Sequence, residues 1–430
     1  MTKYDVAVVG GGIAGLVAAI YAAKAGKKTI LLEQQKRIGG RAMTHKKNSI
    51  YFDLGGHALY RAEAYETFQE LGLQVKGSIP SSNGYAIWKN QLHIMPLSMG
   101  SIIQTPLLTW RGKLEYTKWL TKLMKSDTSQ WSHMSIREWV ETEIHDPMVR
   151  NIFYTFLRTI TYVIAPDLQV ASSVLRRVQQ GLKGGAIYVD HGWGSLVDQL
   201  YDKAVHHHVH IRTGCKVHAV QHTQQKVDSL LTADGDKIEA TNIILTAPPA
   251  SIQKMVPHAE QTAIAKWTKQ AIPITAACLD VALKRLPNPK HQFIFGMDQP
   301  VFLTDQSRAG KPQPAQLSEN GEHKISLLKY QGKQTNAEQD LKDLEQVLDL
   351  AQPGWRDVLV AQQYLPKITV SYDFPNIHRT TLPGPEVPEI KGLYVAGDWA
   401  GHDEILADAS VASARRAIDR LLQHAHRLTA

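Results

Sequence analysis

The sequence of 430 residues has few cysteines and no long apolar run. Its two cysteines, Cys215 and Cys278, lie far apart without a CxxC spacing, which argues against a disulfide framework, a zinc site or a redox-active dithiol. No stretch of about 18 apolar residues is present that could form a spanning helix. No secretory signal precedes the first predicted strand, which begins at Tyr4. These features predict a cytoplasmic protein without a metal.

The net charge of +8 is spread along the chain and forms no basic blocks with interleaved aromatic residues. This pattern argues against a nucleic-acid partner. An anionic cofactor, an acidic substrate or an anionic membrane surface would each suit the positive bias. The aromatic and basic segment 95–125 has two interpretations, which are peripheral contact with a membrane and a helix with one solvent-exposed face. Both interpretations stay open at this point.

The strongest local motif is a glycine-rich turn near the start of the chain. A buried strand is predicted over 4–9, and an alanine-rich helix follows the GxGxxG turn up to about residue 25. A second strand over 28–32 ends at Glu33, the acid that such folds place beside a ribose hydroxyl. The free N–H groups at the start of the helix attract phosphate. The order of these elements predicts a dinucleotide site, whose loop residues are Gly10, Gly12, Ile13, Ala14 and Gly15.

Two later segments indicate which dinucleotide is bound. They are GGRAMT at 39–44 and DLGG at 53–56. This combination resembles the superfamily of flavin amine oxidases, phytoene desaturases and protoporphyrinogen oxidases. The resemblance implies FAD, with Gly39, Gly40 and Arg41 along its phosphates or ribityl chain and with Gly55 and Gly56 beside the isoalloxazine ring. Covalent members of the superfamily carry a cysteine near the carboxy-terminal flavin segment, and neither cysteine of this chain lies there. The flavin is therefore expected to be bound non-covalently.

The resemblance continues along the rest of the chain. It implies a hairpin over 209–220 that meets adenine through the backbone of Val217. The segment GLYVAGDW at 392–399 is similar to the second cofactor motif of the superfamily and places Gly397 and Asp398 beside the ribityl chain or the pyrophosphate. A helix that starts near residue 409 is expected to direct the N–H groups of its first residues at the flavin pyrimidine, where positive charge favours the reduced flavin. These residues are Ala409, Ser410 and Val411.

The length exceeds the usual limit of a single core and therefore predicts two domains. The resemblance implies an α/β fold class. It comprises a Rossmann-like FAD-binding domain of the two-dinucleotide-binding-fold type and an interleaved α+β substrate domain. The FAD-binding domain is assigned to residues 1–75, 187–255 and 366–430. A helical substrate-domain insert is assigned to 76–186, and a sheet insert to 256–365. The substrate pocket is expected where the inserts face the flavin.

Four residues are candidates for the substrate side of the site. His57 follows the double glycine and is a candidate for a catalytic role, although a structural hydrogen bond would also explain it. Lys329 is a candidate for the lysine that many amine oxidases place near flavin N5. Tyr60 and Trp193 are candidates for the pocket walls, although core packing would also explain them. The histidines at 206–208 and 210 enter a strand without a carboxylate or cysteine at ligand spacing, so they do not predict a metal site.

The function expected from the resemblance is that of an FAD-dependent oxidoreductase, either an oxidase or a desaturase. It would oxidise a C–N or C–C bond of a mainly apolar or aromatic small molecule by removing a hydride from a C–H bond at one of its carbons and transferring it to flavin N5. Two alternatives stay open. One is a non-redox flavoenzyme, a mutase or isomerase on the same fold, and the other is a flavin-free escort protein of the GDP-dissociation-inhibitor type.

Overall fold

The computed structural model describes residues 3–80, 84–307 and 316–429. The strands are β1 (Tyr4–Val9), β2 (Thr29–Leu32), β3 (Thr44–Lys47), β4 (Ile50–Asp53), β5 (Leu59–Tyr60), β6 (Gly77–Ser78), β7 (Tyr85–Trp88), β8 (Gln91–Ile94), β9 (Ala186–Val189), β10 (His210–Arg212), β11 (Val217–Thr223), β12 (Lys226–Thr232), β13 (Lys237–Leu245), β14 (Ile274–Leu283), β15 (Phe293–Gly296), β16 (Val301–Asp305), β17 (His323–Gln331), β18 (Leu359–Ser371) and β19 (Leu393–Val395). The α-helices are α1 (Ile13–Lys24), α2 (Glu63–Glu70), α3 (Met99–Gln104), α4 (Trp110–Lys125), α5 (Ile136–Glu143), α6 (Pro147–Thr161), α7 (Ala171–Gly184), α8 (Gly194–His206), α9 (Pro249–Met255), α10 (Ala263–Gln270), α11 (Ala337–Ala351) and α12 (Leu406–Thr429).

The first sheet is built around parallel strands in the order β10-β2-β1-β13, with β19 beside the carboxyl end of β13. Strands β12 and β11 extend it in antiparallel fashion from the amino end of β13. Its parallel strands are rich in Val, Ile, Leu and Ala because both of their faces are buried. Helices α1, α8 and α12 pack on one face, and α9 and α10 pack on the other. This arrangement confirms the predicted Rossmann-like part of the fold.

The second sheet has the order β18-β14-β17-β16-β15-β7-β8 and is antiparallel except between β15 and β7. Helices α3 to α7 cover one face, where Trp119, Trp139 and Phe153 form an aromatic core. Helix α11 covers the other face. The sheet and its helices confirm the predicted interleaved α+β domain. Within the described ranges, no helix combines the length and the apolar character needed to cross a bilayer.

The domain limits differ from the predicted ones at three places. Strands β7 and β8 join the second sheet, although residues 76–186 were predicted to form a helical insert. Helices α9 and α10 pack on the first sheet. The sheet insert that was predicted to start at residue 256 therefore begins near Ile274. It ends at Ser371 and not at residue 365, because β18 is long enough to pair with the whole of β14.

The predicted hairpin over 209–220 is wrong. Strand β10 pairs with β2, whereas β11 pairs with β12 on the other side of the sheet. The chain between them crosses the carboxyl end of β2, where the Gly214 and Cys215 N–H groups donate to the carbonyls of Gln35 and Glu33. This crossing places the start of β11 beside the predicted ribose acid.

Candidate active site

A cavity of about 850 Å³ extends from the carboxyl ends of the parallel strands to the second sheet. Ligands of open α/β sheets bind at this end of the strands. Most predicted site residues line the cavity, namely Gly10, Gly12, Ile13, Ala14, Glu33, Gly39, Gly40, Arg41, Gly55, Gly56, His57, Tyr60, Trp193, Val217, Gly397, Asp398 and Ser410. The residues predicted for the site that do not line it are Gly15, Ala409, Val411 and Lys329. The structure therefore brings together segments from both ends of the chain.

The glycine loop places the amino end of α1 at the cavity wall. A Cβ atom at Gly15 would lie 1.9 Å from the Gly10 carbonyl oxygen, so only glycine permits this close packing of helix and strand. Ile13 and Ala14, in the first turn of α1, line the cavity. The unpaired N–H groups and the positive helix end there can bind a phosphate. Gly15 thus shapes the loop from behind the cavity wall.

Glu33 holds the glycine loop from the end of β2. One carboxylate oxygen accepts the Gly11 N–H at 2.6 Å, and the other accepts the Gln35 N–H at 2.8 Å. The side chain is buried but lines the cavity. Each carboxylate oxygen has a second lone pair that can accept a hydrogen bond from a ribose hydroxyl. The predicted contact is compatible with this geometry.

An ion pair joins the two predicted cofactor motifs. The Arg41 Nη1 group donates to Asp398 Oδ2 at 2.7 Å, although the two residues are 357 positions apart. Nη1 also donates to the Val370 carbonyl at 3.0 Å, and the guanidinium lies 4.8 Å from the centre of the Tyr372 ring. The Tyr372 N–H donates to the same Asp398 oxygen at 3.1 Å. The ion pair forms part of the cavity wall, where the guanidinium can also contact a phosphate oxygen.

Helix α12 begins earlier than predicted. Its first residue is Leu406, so Ala409 and Val411 lie one turn further along and are fully buried behind the wall. The residues of its first turns that face the cavity are Leu406, Ala407, Asp408 and Ser410. The predicted positive helix end is present, but it is formed by residues 406–408 and not by 409–411.

The double glycine follows β4 and passes between the two sheets. Gly55 has a φ of +122°, a backbone conformation that strains any residue with a side chain, and a Cβ atom there would also displace Ile368 Cδ1, 2.4 Å away. His57 Nδ1 donates to the Gly55 carbonyl at 2.9 Å, and the ring lies 5.2 Å from that of Trp193. Both rings line the cavity. The hydrogen bond of His57 supports the structural interpretation of this residue, which was an alternative to a catalytic role.

The end of the cavity at the second sheet is largely aromatic. Its rings come from Tyr60, Tyr162, Tyr188, Phe293 and Phe302. The Tyr162 hydroxyl donates to the Gly56 carbonyl at 2.7 Å, and the Tyr188 hydroxyl is 2.8 Å from Thr304 Oγ1. Burial raises the pKa of Tyr60, Tyr162 and Tyr188, so all three phenols stay neutral. Of these rings, only Tyr60 was predicted from the sequence, because which face of its element each of the others occupies depends on the tertiary fold.

A buried ion pair that the sequence did not indicate lies beside Tyr60. Arg177 from α7 pairs with Asp408 from the first turn of α12, and its guanidinium lies 3.7 Å from the centre of the Tyr60 ring. All three residues line the cavity. Burial raises the pKa of the Asp408 carboxyl, and the Arg177 charge partly offsets that rise. The pair links the helical layer of the substrate domain to the predicted flavin-binding helix.

Lys329, the lysine predicted to lie near flavin N5, does not line the cavity. Lys329 lies on the face of the second sheet opposite the cavity, where its ammonium bonds to Asp340 at 2.8 Å and to Asp343. The fully buried lysine on the cavity face of the same strand is Lys324. Its Nζ atom lies 4.0 Å from Asp53 Oδ2 and has no hydrogen-bond partner among the described residues. Lys324 is two residues from Ser326, which lines the cavity, so both side chains lie on the same face of β17. Lys329 is an odd number of residues from both and lies on the opposite face.

That serine, Ser326, connects the cavity wall to a buried carboxylate. Its hydroxyl donates to Asp280 Oδ1 at 2.5 Å, and burial raises the pKa of the Asp280 carboxyl. Gln363 bridges this group to the flavin-binding half, because its Nε2 donates to Asp280 Oδ2 at 3.3 Å and to the Asp53 carbonyl at 2.9 Å. The cluster fixes the double-glycine segment against the second sheet.

Both cysteines are buried and neither lies at the double glycine. Cys215 lines the cavity next to Glu33, whereas Cys278 lies inside the second sheet and does not line it. Burial raises the pKa of both thiols. Within the part of the chain that the structure describes, no cluster of three or more His, Cys, Asp or Glu residues could hold a metal ion.

Comparison with known proteins gives three findings. The pattern that defines the family described as "Flavin containing amine oxidoreductase" matches residues 13–422. The chain is 22% identical over 339 residues to 4,4'-diaponeurosporene oxygenase from Staphylococcus aureus, a match that covers 69% of this chain and 66% of the oxygenase. A segment of 61 residues is 48% identical to all-trans-retinol 13,14-reductase from Homo sapiens and covers 14% of this chain and 10% of the reductase. The matches thus span less than two thirds of either relative.

The fold is also found in solved structures. The crystal structure of an oxidoreductase from Methanosarcina mazei matches with a TM-score of 0.75 and 17% identity, covering 97% of this chain and 100% of that one. At this identity the likeness concerns the fold alone. It extends over both sheets, so the interleaved arrangement of the two domains is shared.

Proposed function

Because the chain belongs to the family of flavin-containing amine oxidoreductases, we propose that it oxidises a mainly apolar or aromatic small molecule in the cavity between its two sheets. The protein is an FAD-dependent oxidoreductase of the amine oxidase and desaturase type. Bound FAD would supply the acceptor at N5 for a hydride that leaves a C–H bond as the adjacent C–N or C–C bond is oxidised. The observation that carries the proposal is the continuity of the cavity from the glycine loops to the aromatic end.

The residues at the glycine-loop end fit FAD in charge and shape. In the proposed complex, Gly12 and the first turn of α1 bind the pyrophosphate, and Glu33 accepts hydrogen bonds from the adenosine ribose. Arg41 and Asp398 flank the chain between the phosphates and the flavin ring. The start of α12 directs its free N–H groups at the pyrimidine edge, where they stabilise negative charge. Val217, at the start of β11, meets the adenine.

The aromatic end determines the proposed substrate class. Neutral phenols and phenylalanine rings offer apolar contact area with few polar groups to fix orientation. Arg177 and Asp408 neutralise each other there, so the pair adds no net charge. The names of the two relatives refer to retinol and to diaponeurosporene, which agrees with an apolar substrate. We therefore place an apolar chain or ring system against Tyr60, Tyr162 and Tyr188.

We propose non-covalent FAD because the cysteine that lines the cavity, Cys215, lies at the adenosine end of the proposed complex and not at the flavin ring. The family assignment does not favour the two alternatives, a non-redox mutase or isomerase and a flavin-free escort protein. The cytoplasmic location predicted from the sequence stays a prediction.

The proposed reaction is tested by anaerobic reduction. The holoenzyme is mixed with polyenes, porphyrinogens, lipophilic amines and small charged amino acids in separate experiments, and the loss of flavin absorbance is followed. We expect bleaching with an apolar compound, and the product then shows whether a C–N or a C–C bond is oxidised. Rapid bleaching by charged amino acids alone would contradict the proposed substrate class. No bleaching by any compound, with activity only after chemical reduction, would support the non-redox alternative.

A further inference from the structure

Helices α3 and α4 expose more apolar surface than a solvated helix pair requires. Met99 and Ile103 on α3 are 62% and 65% exposed, and Trp110 and Leu114 on α4 are 70% and 57% exposed. The Lys113 ammonium donates to the Ile103 carbonyl at 2.5 Å, which holds the end of α3 beside the start of α4. The four side chains therefore belong to one surface. Clustered apolar exposure of this kind marks an interaction site more often than it marks ordinary protein surface.

Basic residues continue the same face of α4. Lys118 and Lys125 follow Trp110 and Leu114 at helical spacing, whereas the buried side chains of α4 lie on the opposite side. We call the set Met99, Ile103, Trp110, Arg111, Leu114, Lys118 and Lys125 the α3–α4 surface. It combines an apolar end, to which both helices contribute, with a basic flank on the exposed face of α4.

The charge of this surface is almost entirely positive. Helix α4 has five basic residues and one acidic residue, Glu115. The Glu115 carboxylate accepts the backbone N–H groups of His145 and Asp146 at 2.6 and 3.0 Å, so its charge is turned toward the protein. Lys122 is paired with Glu143 at 2.5 Å. Arg111, Lys118 and Lys125 form no ion pair with any residue that the structure describes, which leaves three free cations distributed along α4.

We propose that the α3–α4 surface docks on an anionic lipid bilayer. Aromatic and aliphatic side chains insert at the boundary between headgroups and acyl chains, while lysine and arginine remain at the level of anionic headgroups. The positive charge of the basic flank is complementary to anionic headgroups, whereas a neutral apolar partner would not require it. Helix α4 packs on α6 and α7, whose opposite sides contribute Thr159 and Arg177 to the cavity wall. Docking therefore places the bilayer on the helical layer that encloses the aromatic end.

The proposal is tested by sedimentation of the full-length holoenzyme with vesicles. The probes are vesicles of phosphatidylcholine alone and of an equimolar mixture of phosphatidylcholine and phosphatidylglycerol, at low and at high salt. We expect binding to the anionic vesicles that weakens with salt and is much weaker with the neutral ones. Each basic charge removed should lower the partition coefficient about fivefold, so K118Q/K125Q should lower it roughly 30-fold. W110S/L114S should lower binding at both salt concentrations.

Matched control variants separate binding through the α3–α4 surface from the effects of net charge and of exposed apolar residues elsewhere. K266Q/K269Q removes two exposed lysines from α10, and L382S removes an exposed leucine from the flavin-binding half. Both controls should bind like the unaltered protein, and all variants should keep the flavin spectrum. Equal binding to neutral and anionic vesicles, or equal loss in K266Q/K269Q, would overturn the proposal. So would a dimer in solution that W110S/L114S converts to monomer, because a second copy would then cover the surface.

Discussion

Replacement of Glu33 by glutamine tests the assignment of the ribose contact. The two oxygens of Glu33 accept the N–H groups of Gly11 and Gln35. A glutamine amide has a single oxygen, so one of these N–H groups would face an NH₂ group and lose its acceptor. The same change removes the charge that strengthens a bond from a ribose hydroxyl. The variant is therefore expected to weaken both FAD binding and the loop that binds it.

The size of the effect follows from the number of bonds. One hydrogen bond to a charged group contributes about 1.5 to 3 kcal/mol, which corresponds to a roughly 10- to 150-fold change in a dissociation constant. We expect the dissociation constant for FAD to rise within this range in Glu33→Gln. The loss of the bond to the loop should lower the free energy of unfolding of the apoprotein by about 1 to 3 kcal/mol.

Both quantities can be measured on the same apoprotein. Titration with FAD, followed by the quenching of flavin fluorescence, gives the affinity, and urea unfolding gives the stability. Glu345→Gln on α11 is a suitable control, because Glu345 does not line the cavity and α11 covers the opposite face of the second sheet. An FAD affinity within twofold of the unaltered protein would show that Glu33 does not contact the ribose.

Two further substitutions test the packing around the cavity. Gly15→Ala puts a Cβ atom against the Gly10 carbonyl and should abolish FAD retention, whereas Gly100→Ala, which meets no atom within 4 Å, should retain FAD as measured by absorbance. Arg177→Met leaves Asp408 buried without its partner and should lower the free energy of unfolding by about 3 to 5 kcal/mol at neutral pH. Removal of the Arg177 charge takes away the interaction that offsets part of the burial-induced rise in the pKa of Asp408, so the variant should protonate Asp408 at a higher pH than the unaltered protein does. The loss should therefore shrink as the pH falls from about 8 to about 5 in urea unfolding experiments, and an equal loss at both pH values would contradict this cause.

The flavin-binding half could be predicted from the sequence because its signals are local. Strand β1 ends where the glycine turn begins, and the helix that follows starts at Ile13. The motif around Arg41 was placed in the site by resemblance, but its ion pair with Asp398 required the fold. The start of α12 was predicted three residues too late, because the small residues from Ala407 onward extend the helical pattern without a clear capping residue.

The substrate half was less predictable because its residues face the cavity only through sheet register. Lys324 and Lys329 are five positions apart on β17, so they point to opposite faces, and nothing in the local sequence shows which face meets the cavity. The pair between Arg177 and Asp408 joins residues of two helices that are 231 positions apart in the chain. Strands β7 and β8 were missed because each has only four residues, which is too short for a clear alternating pattern.

The most direct test of the account is the identity and the attachment of the cofactor. The purified protein should be yellow, and acid or heat denaturation should release about one equivalent of FAD per chain into the supernatant, as shown by chromatography against FAD and FMN standards. A colourless protein that also fails to take up added FAD would contradict the assignment of the cavity. Flavin that remains with the denatured chain would contradict non-covalent binding.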